Sequence, residues 1–96
     1  MRSGTTDHKF QVTTSIMALL RDQLEDGLLI MIFRQLGAET RESIDVAQFA
    51  VEAYGRVGMW KEADALTRKL RQVYQQSSDR SAKEKIKKWR EIIESR

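Results

Sequence analysis

Three carboxylates, Asp22, Glu25 and Asp26, stand within one short stretch just before the longest apolar run of the chain. On a continuous helix Asp22 and Asp26 lie one turn apart, where two carboxylates can share a cation. The same stretch also suits a solvated polar face, with Arg21 and Glu25 spaced as an ion pair. No loop offering oxygen ligands at alternate positions accompanies them. The single histidine, His8, has Asp7 beside it, but a catalytic imidazole needs its orienting partner on a rigid element. This pair instead belongs to a polar terminus, where Asp7 suits a helix cap. Serines and threonines are plentiful yet have no base nearby. Gly27, Gly37, Gly55 and Gly58 are too far apart to form a phosphate-cradling loop. With no cysteine in the chain there is no thiolate nucleophile, no disulfide and no Cys-built zinc site. The inventory points away from an enzyme. No cofactor, metal or small-molecule substrate is expected.

Charge is distributed unevenly. Residues 77–96 carry seven cations (Arg80, Lys83, Lys85, Lys87, Lys88, Arg90 and Arg96) against Asp79, Glu84, Glu91 and Glu94. The first 76 residues hold ten of each sign, so the whole formal excess of +3 sits in the last segment. On a helix Lys83, Lys87 and Arg90 share one face. With Lys88 they are the candidate phosphate contacts of a nucleic-acid-binding or transcription-regulating protein. No stacking platform accompanies them, because Trp89 falls on the apolar seam of the same helix.

The run Leu28-Leu29-Ile30-Met31-Ile32-Phe33 is the most informative apolar feature. Six consecutive apolar residues cover the whole circumference of a helix and leave no side for water. Such a segment runs through the centre of a bundle, faces another chain, or forms a buried strand. Leu28, Leu29, Met31, Ile32 and Phe33 are therefore candidate interface residues. Trp60 joins them at a turn, as do Ile86, Trp89 and Ile93 on the last helix. The run is far short of the roughly 20 residues that cross a bilayer. The first nine residues are polar and lack the apolar stretch of a secretory signal, so a cytoplasmic protein with no membrane partner is expected.

Helices must position these residues, for the chain has no proline and its apolar residues recur at helical spacing. A first helix starts between Asp7 and Ser15 and continues to a glycine cap at Gly37. Its face is Phe10, Thr13, Met17, Leu20, Leu24, Leu28 and Met31, with a bend near Gly27. Residues 9–16 also alternate as a strand would, through Phe10, Val12, Thr14 and Ile16. A second helix starts between Thr40 and Ser43 and ends at Gly58. Its apolar positions are Ile44, Val46, Ala47, Ala50, Val51, Ala53, Tyr54 and Val57. A third runs from Trp60 to about Gln76 on the stripe Ala63, Leu66, Leu70 and Val73. Ser81 and Glu84 read as a capping box opening a last helix, 82–95, whose seam is Ala82, Ile86, Trp89 and Ile93.

The stretch from Ala53 to Ala63 resembles the turn of a tetratricopeptide or pentatricopeptide helical hairpin, with Tyr54, Gly58 and Ala63 at the family spacing. The match covers about residues 44–76. It departs from the pattern at Val51 and Leu70, has no closing proline, and finds no second copy at a shift of 34 residues. What the resemblance implies is a helical hairpin and a protein-binding role.

The expectation is an all-α protein, a small bundle of about four helices around a tetratricopeptide-like hairpin. Residues 1–6 are read as a disordered lead-in and 7–76 as the helical core. Residues 77–96 are read as a polar linker and a basic amphipathic helix. The function expected is that of a protein–protein interaction module, such as an adaptor, a chaperone-like protein or a regulatory subunit, acting through apolar helix surfaces. The expected partner is a protein, first of all a second copy in a homodimer.

Overall fold

A computed structural model describes residues 3–95, with side chains from residue 11 onward. The described residues are all helical in their regular structure, with six helices and no strand. They are α1 (Ser3–Asp22), α2 (Asp26–Gln35), the single turn α3 (Ala38–Arg41), α4 (Ile44–Arg56), α5 (Trp60–Val73) and α6 (Arg80–Ser95). The body measures 44 × 33 × 19 Å. Since one helix with its side chains is about 10–12 Å across, the molecule is two helices thick.

α4 is the beam of the structure. Eight of its thirteen residues are buried, because α1, α2 and α3 pack on it and α5 folds back against it. The expected apolar positions Ile44 to Tyr54 are all buried, and Phe49 joins them, whereas Val57 lies exposed past the helix end. Small residues (Ala47, Ala50 and Ala53, all fully buried) let the neighbouring helices approach closely. On α5, Ala63 and Leu70 are buried, Thr67 completes the stripe by donating its hydroxyl to the Ala63 carbonyl at 2.7 Å, and Val73 is exposed.

The first helix differs most from its expected form. It begins at Ser3, inside the stretch read as a lead-in, and residues 9–16 are helical. Residues 1–2 lie outside the described residues, as do the side chains of Asp7, His8 and Phe10. The helix also breaks at residues 23–25, ahead of Gly27, so one long helix becomes α1 and α2. At the break Leu24 adopts φ +59°, the left-handed conformation. The Leu24 amide donates to the Arg21 carbonyl and the Glu25 amide to the Leu20 carbonyl, at 3.0 and 2.9 Å. That pair of bonds is a Schellman motif with leucine in the position glycine usually holds.

The same motif closes α4. Gly58 has φ +81°, its amide donates to Gly55, and the Met59 amide donates to Tyr54 at 2.7 Å. The reversal expected at Gly58 is present. Gly37, by contrast, is extended (φ −65°, ψ 159°) and opens α3 instead of capping the helix before it.

Two other helix starts use partners from elsewhere. The Ser43 side chain makes no capping bond, and the Ile44 amide donates to the Tyr74 hydroxyl at 3.0 Å. At α6, Asp79 is the cap: its carboxylate accepts from the Ala82 amide at 3.0 Å. Ser81 and Glu84 therefore lie inside the helix, and the capping box expected of them is displaced by the earlier carboxylate.

Candidate interaction surfaces

The acidic cluster is divided by the break at Leu24. Asp22 ends α1 and pairs with Arg21 at 3.2 Å, while Asp26 begins α2. Asp26 accepts three bonds from the Arg56 guanidinium of α4, at 2.7, 2.9 and 3.1 Å. That bidentate grip holds the Arg56 guanidinium above its ordinary pKa, with hydrogen bonding as the main cause. The Asp26 lone pairs are thus spent on a structural link. Among the described residues no three His, Cys, Asp or Glu side chains converge as a metal site would require.

Two further polar contacts pin α1 and α2 to α4. The Arg21 guanidinium lies 5.1 Å from the Phe49 ring centre, and that of Arg34 lies 6.0 Å from the Tyr54 ring centre. These distances are within the range of cation–π attraction.

The six-residue apolar run is split by these contacts. Leu29, Ile30 and Phe33 face α4 and are buried, Ile32 is half-buried, and Leu28 and Met31 are exposed. The run forms helix, so the strand alternative falls. α1 repeats the pattern. Met17 is fully buried, whereas Val12, Ile16 and Leu19, spaced by four and three residues, are 47%, 45% and 56% exposed on the opposite side. Leu24, 75% exposed, joins the two helices. α1 and α2 touch each other and both rest on α4, and six large apolar residues are exposed along them and at their junction. In the sequence Val12 and Ile16 stand out only as alternating strand positions, and Leu19 not at all. Their spacing is the signal that could have found them.

The other expected contact residues lie elsewhere. Ile86, Trp89 and Ile93 are turned into the body, where α6 packs along α5, so the seam is consumed within the chain. Their burial leaves Ile92 exposed at the side of the seam. Trp60 is half-buried, and a Cβ placed on Gly55 would meet its ring at 3.3 Å, so the absent side chain makes room for the indole. Trp60 and Trp89 both border a cavity of about 310 Å3 among α4, α5 and α6, together with Val51, Arg56 and Ile92.

The basic residues separate into two sets. Lys83, Lys87 and Arg90 line a groove of about 330 Å3 between α5 and α6, and Arg71 of α5 completes the cluster. Lys88 is exposed and does not line it. Tyr74 and Ile86 form the apolar part of its wall. Arg71 and Tyr74 were missed from sequence, because only the packing of α5 on α6 brings them to the basic face.

Comparison with known protein families, curated proteins and solved structures finds no match. No described helix is long and apolar enough to cross a membrane.

Proposed function

We propose that this chain is a small protein–protein interaction module that associates with a second copy through the outer side of α1 and α2. The observation that carries the reading is the second apolar stripe on each of these helices, opposite the stripe that packs on α4. A helix that serves only its own core has one apolar side. Here Val12, Ile16, Leu19, Leu24, Leu28 and Met31 form a surface that water alone covers in the monomer. The largest patch on an ordinary monomer spans roughly 300–600 Å2 and is often functional. Association of two copies depends on protein concentration by mass action. A two-fold arrangement lays the stripe of one protomer on that of the other, which makes a second copy the simplest occupant.

The α4–α5 unit enters the same reading as a hairpin of the tetratricopeptide kind. Left-handed Gly58 and the buried Tyr54 and Ala63 support this.

Light scattering over a concentration series tests the proposal. The native chain is expected to move from monomer toward dimer mass in the micromolar range. Leu19→Glu and Met31→Glu are expected to stay monomeric with an unchanged circular dichroism spectrum. Ile92→Glu, equally exposed but on α6, is expected to associate as the native chain does. A native chain that is strictly monomeric at high micromolar concentration overturns the reading.

A further inference from the structure

The groove between α5 and α6 is separate from the face just described, on helices against which α1 and α2 make only marginal contact. Four cations border it, Arg71, Lys83, Lys87 and Arg90, and its lining contains no carboxylate. Among the described residues Arg71, Lys83 and Lys87 form no ion pair, while Arg90 reaches Glu94 at 3.4 Å along its own helix. Four like charges around one cavity repel each other, and among the described residues only the pairing of Arg90 with Glu94 offsets that cost. An anion in the groove would offset the rest.

The charge is also local. Without these four residues the chain has thirteen basic side chains against fourteen acidic ones, so the rest of the molecule is close to neutral. A nucleic-acid strand needs a basic track along its phosphates, because its affinity comes from the number of phosphates neutralised. Here the track ends after four cations. The neighbouring cavity along the same two helices, about 500 Å3, shares Arg71 and Arg90 with the groove and is bordered by Asp64 and Glu94 as well as Arg68, so carboxylates follow directly on the cations. Arg68 is already paired with Asp64 at 3.1 Å.

The wall of the groove bears on the ligand too. Ile86 supplies an aliphatic surface and Tyr74 an aromatic one. The Tyr74 ring is held in place, since its hydroxyl accepts the Ile44 amide at the start of α4. A phosphate backbone itself gains nothing from such a wall and a nucleobase can use only the Tyr74 ring, whereas a leucine or phenylalanine side chain packs on both residues.

From this combination of an acid-free cationic rim and a fixed apolar wall, we infer that the groove between α5 and α6 binds a short acidic peptide segment of a partner protein, with one apolar side chain seated against Tyr74 and Ile86. The carboxylates pair with Arg71, Lys83, Lys87 and Arg90. Specificity comes from needing both features in one ligand.

Fluorescence anisotropy with a labelled peptide of alternating Glu and Leu tests this on the full chain. Lys87→Glu is expected to weaken binding about tenfold, the effect of losing one partly desolvated contact and gaining a repulsive one. Lys88→Glu makes the same charge change one residue away, outside the groove, and is expected to alter binding less than twofold. Replacing Leu by Ser throughout the peptide is expected to weaken binding as much as Lys87→Glu does. Equal losses from Lys87→Glu and Lys88→Glu overturn the inference, because general electrostatics would then suffice. Tighter binding of an oligothymidylate than of the peptide overturns it in favour of nucleic acid. Neither result bears on self-association through α1 and α2, which the mass of the same variants reports independently.

Discussion

In α6 the stripe Ile86, Trp89 and Ile93 is turned into the body, and the charged residues around it face water. In α1 the stripe Val12, Ile16 and Leu19 is turned outward while Met17 faces the core. Both stripes have four-and-three spacing, and period alone does not say which side a helix buries. The deciding factor is how many apolar sides the helix has. α6 has one, and packing on α5 satisfies it. α1 and α2 have two each, and a single supporting helix, α4, can cover only one. The remaining side is then available to a second chain, whereas α6 offers a partner its charges.

The largest effect expected from this contrast is in stability. Trp89→Ala removes a buried indole from the α6 seam and should cost about 3–5 kcal/mol, measured by urea unfolding. Met31→Ala, on the outer side of α2, should stay within about 0.5 kcal/mol. If the two cost the same, the outer face is not free and the contrast fails.

The two Schellman turns sharpen the comparison next. Gly58→Ala places a Cβ in the left-handed region and should destabilise by about 1–2 kcal/mol. No neighbouring atom crowds that Cβ, so the loss reports conformation alone. Leu24→Gly should act in the opposite direction and stabilise by up to about 1 kcal/mol, since relief of the left-handed leucine outweighs the added chain entropy. Thermal melts of the two variants should therefore move to opposite sides of the native midpoint.

An effect of similar size to that at Leu24 is expected at the link between the two regions. Asp26→Asn keeps the shape of the side chain but removes the charge that Arg56 grips, and should cost about 1 kcal/mol. The loss should shrink in high salt, where part of the ion pair is already screened.

The α4–α6 region was largely legible in the sequence because its signals agree. The α4 positions repeat at helical spacing, glycine stands where the chain reverses, and the α6 seam has few apolar residues to misassign. The sequence pattern sets the cap of α6 at Ser81, two residues late, because Asp79 competes with it for the same amides. The division of the first helix was not legible. No proline or glycine occupies the break, and Leu24 continues the helical pattern across it. What ends α1 is long-range: Asp26 held by Arg56, and both helices seated on α4. The candidate groove was half legible. Lys83, Lys87 and Arg90 announce themselves by spacing on one helix. Arg71 and Tyr74 belong to another element, and no local pattern says which helix they face.

The position of α4 has a further consequence for how the molecule opens. Since α1 and α2 hang on one side of it and α5 and α6 continue from its other end, the chain resembles two wings on a common beam. Each wing rests mainly on the beam, so one wing is expected to open while the other keeps most of its packing, and α4 amides are expected to exchange most slowly of all. Closing one surface with a partner would therefore steady its own wing and leave the other as mobile as before.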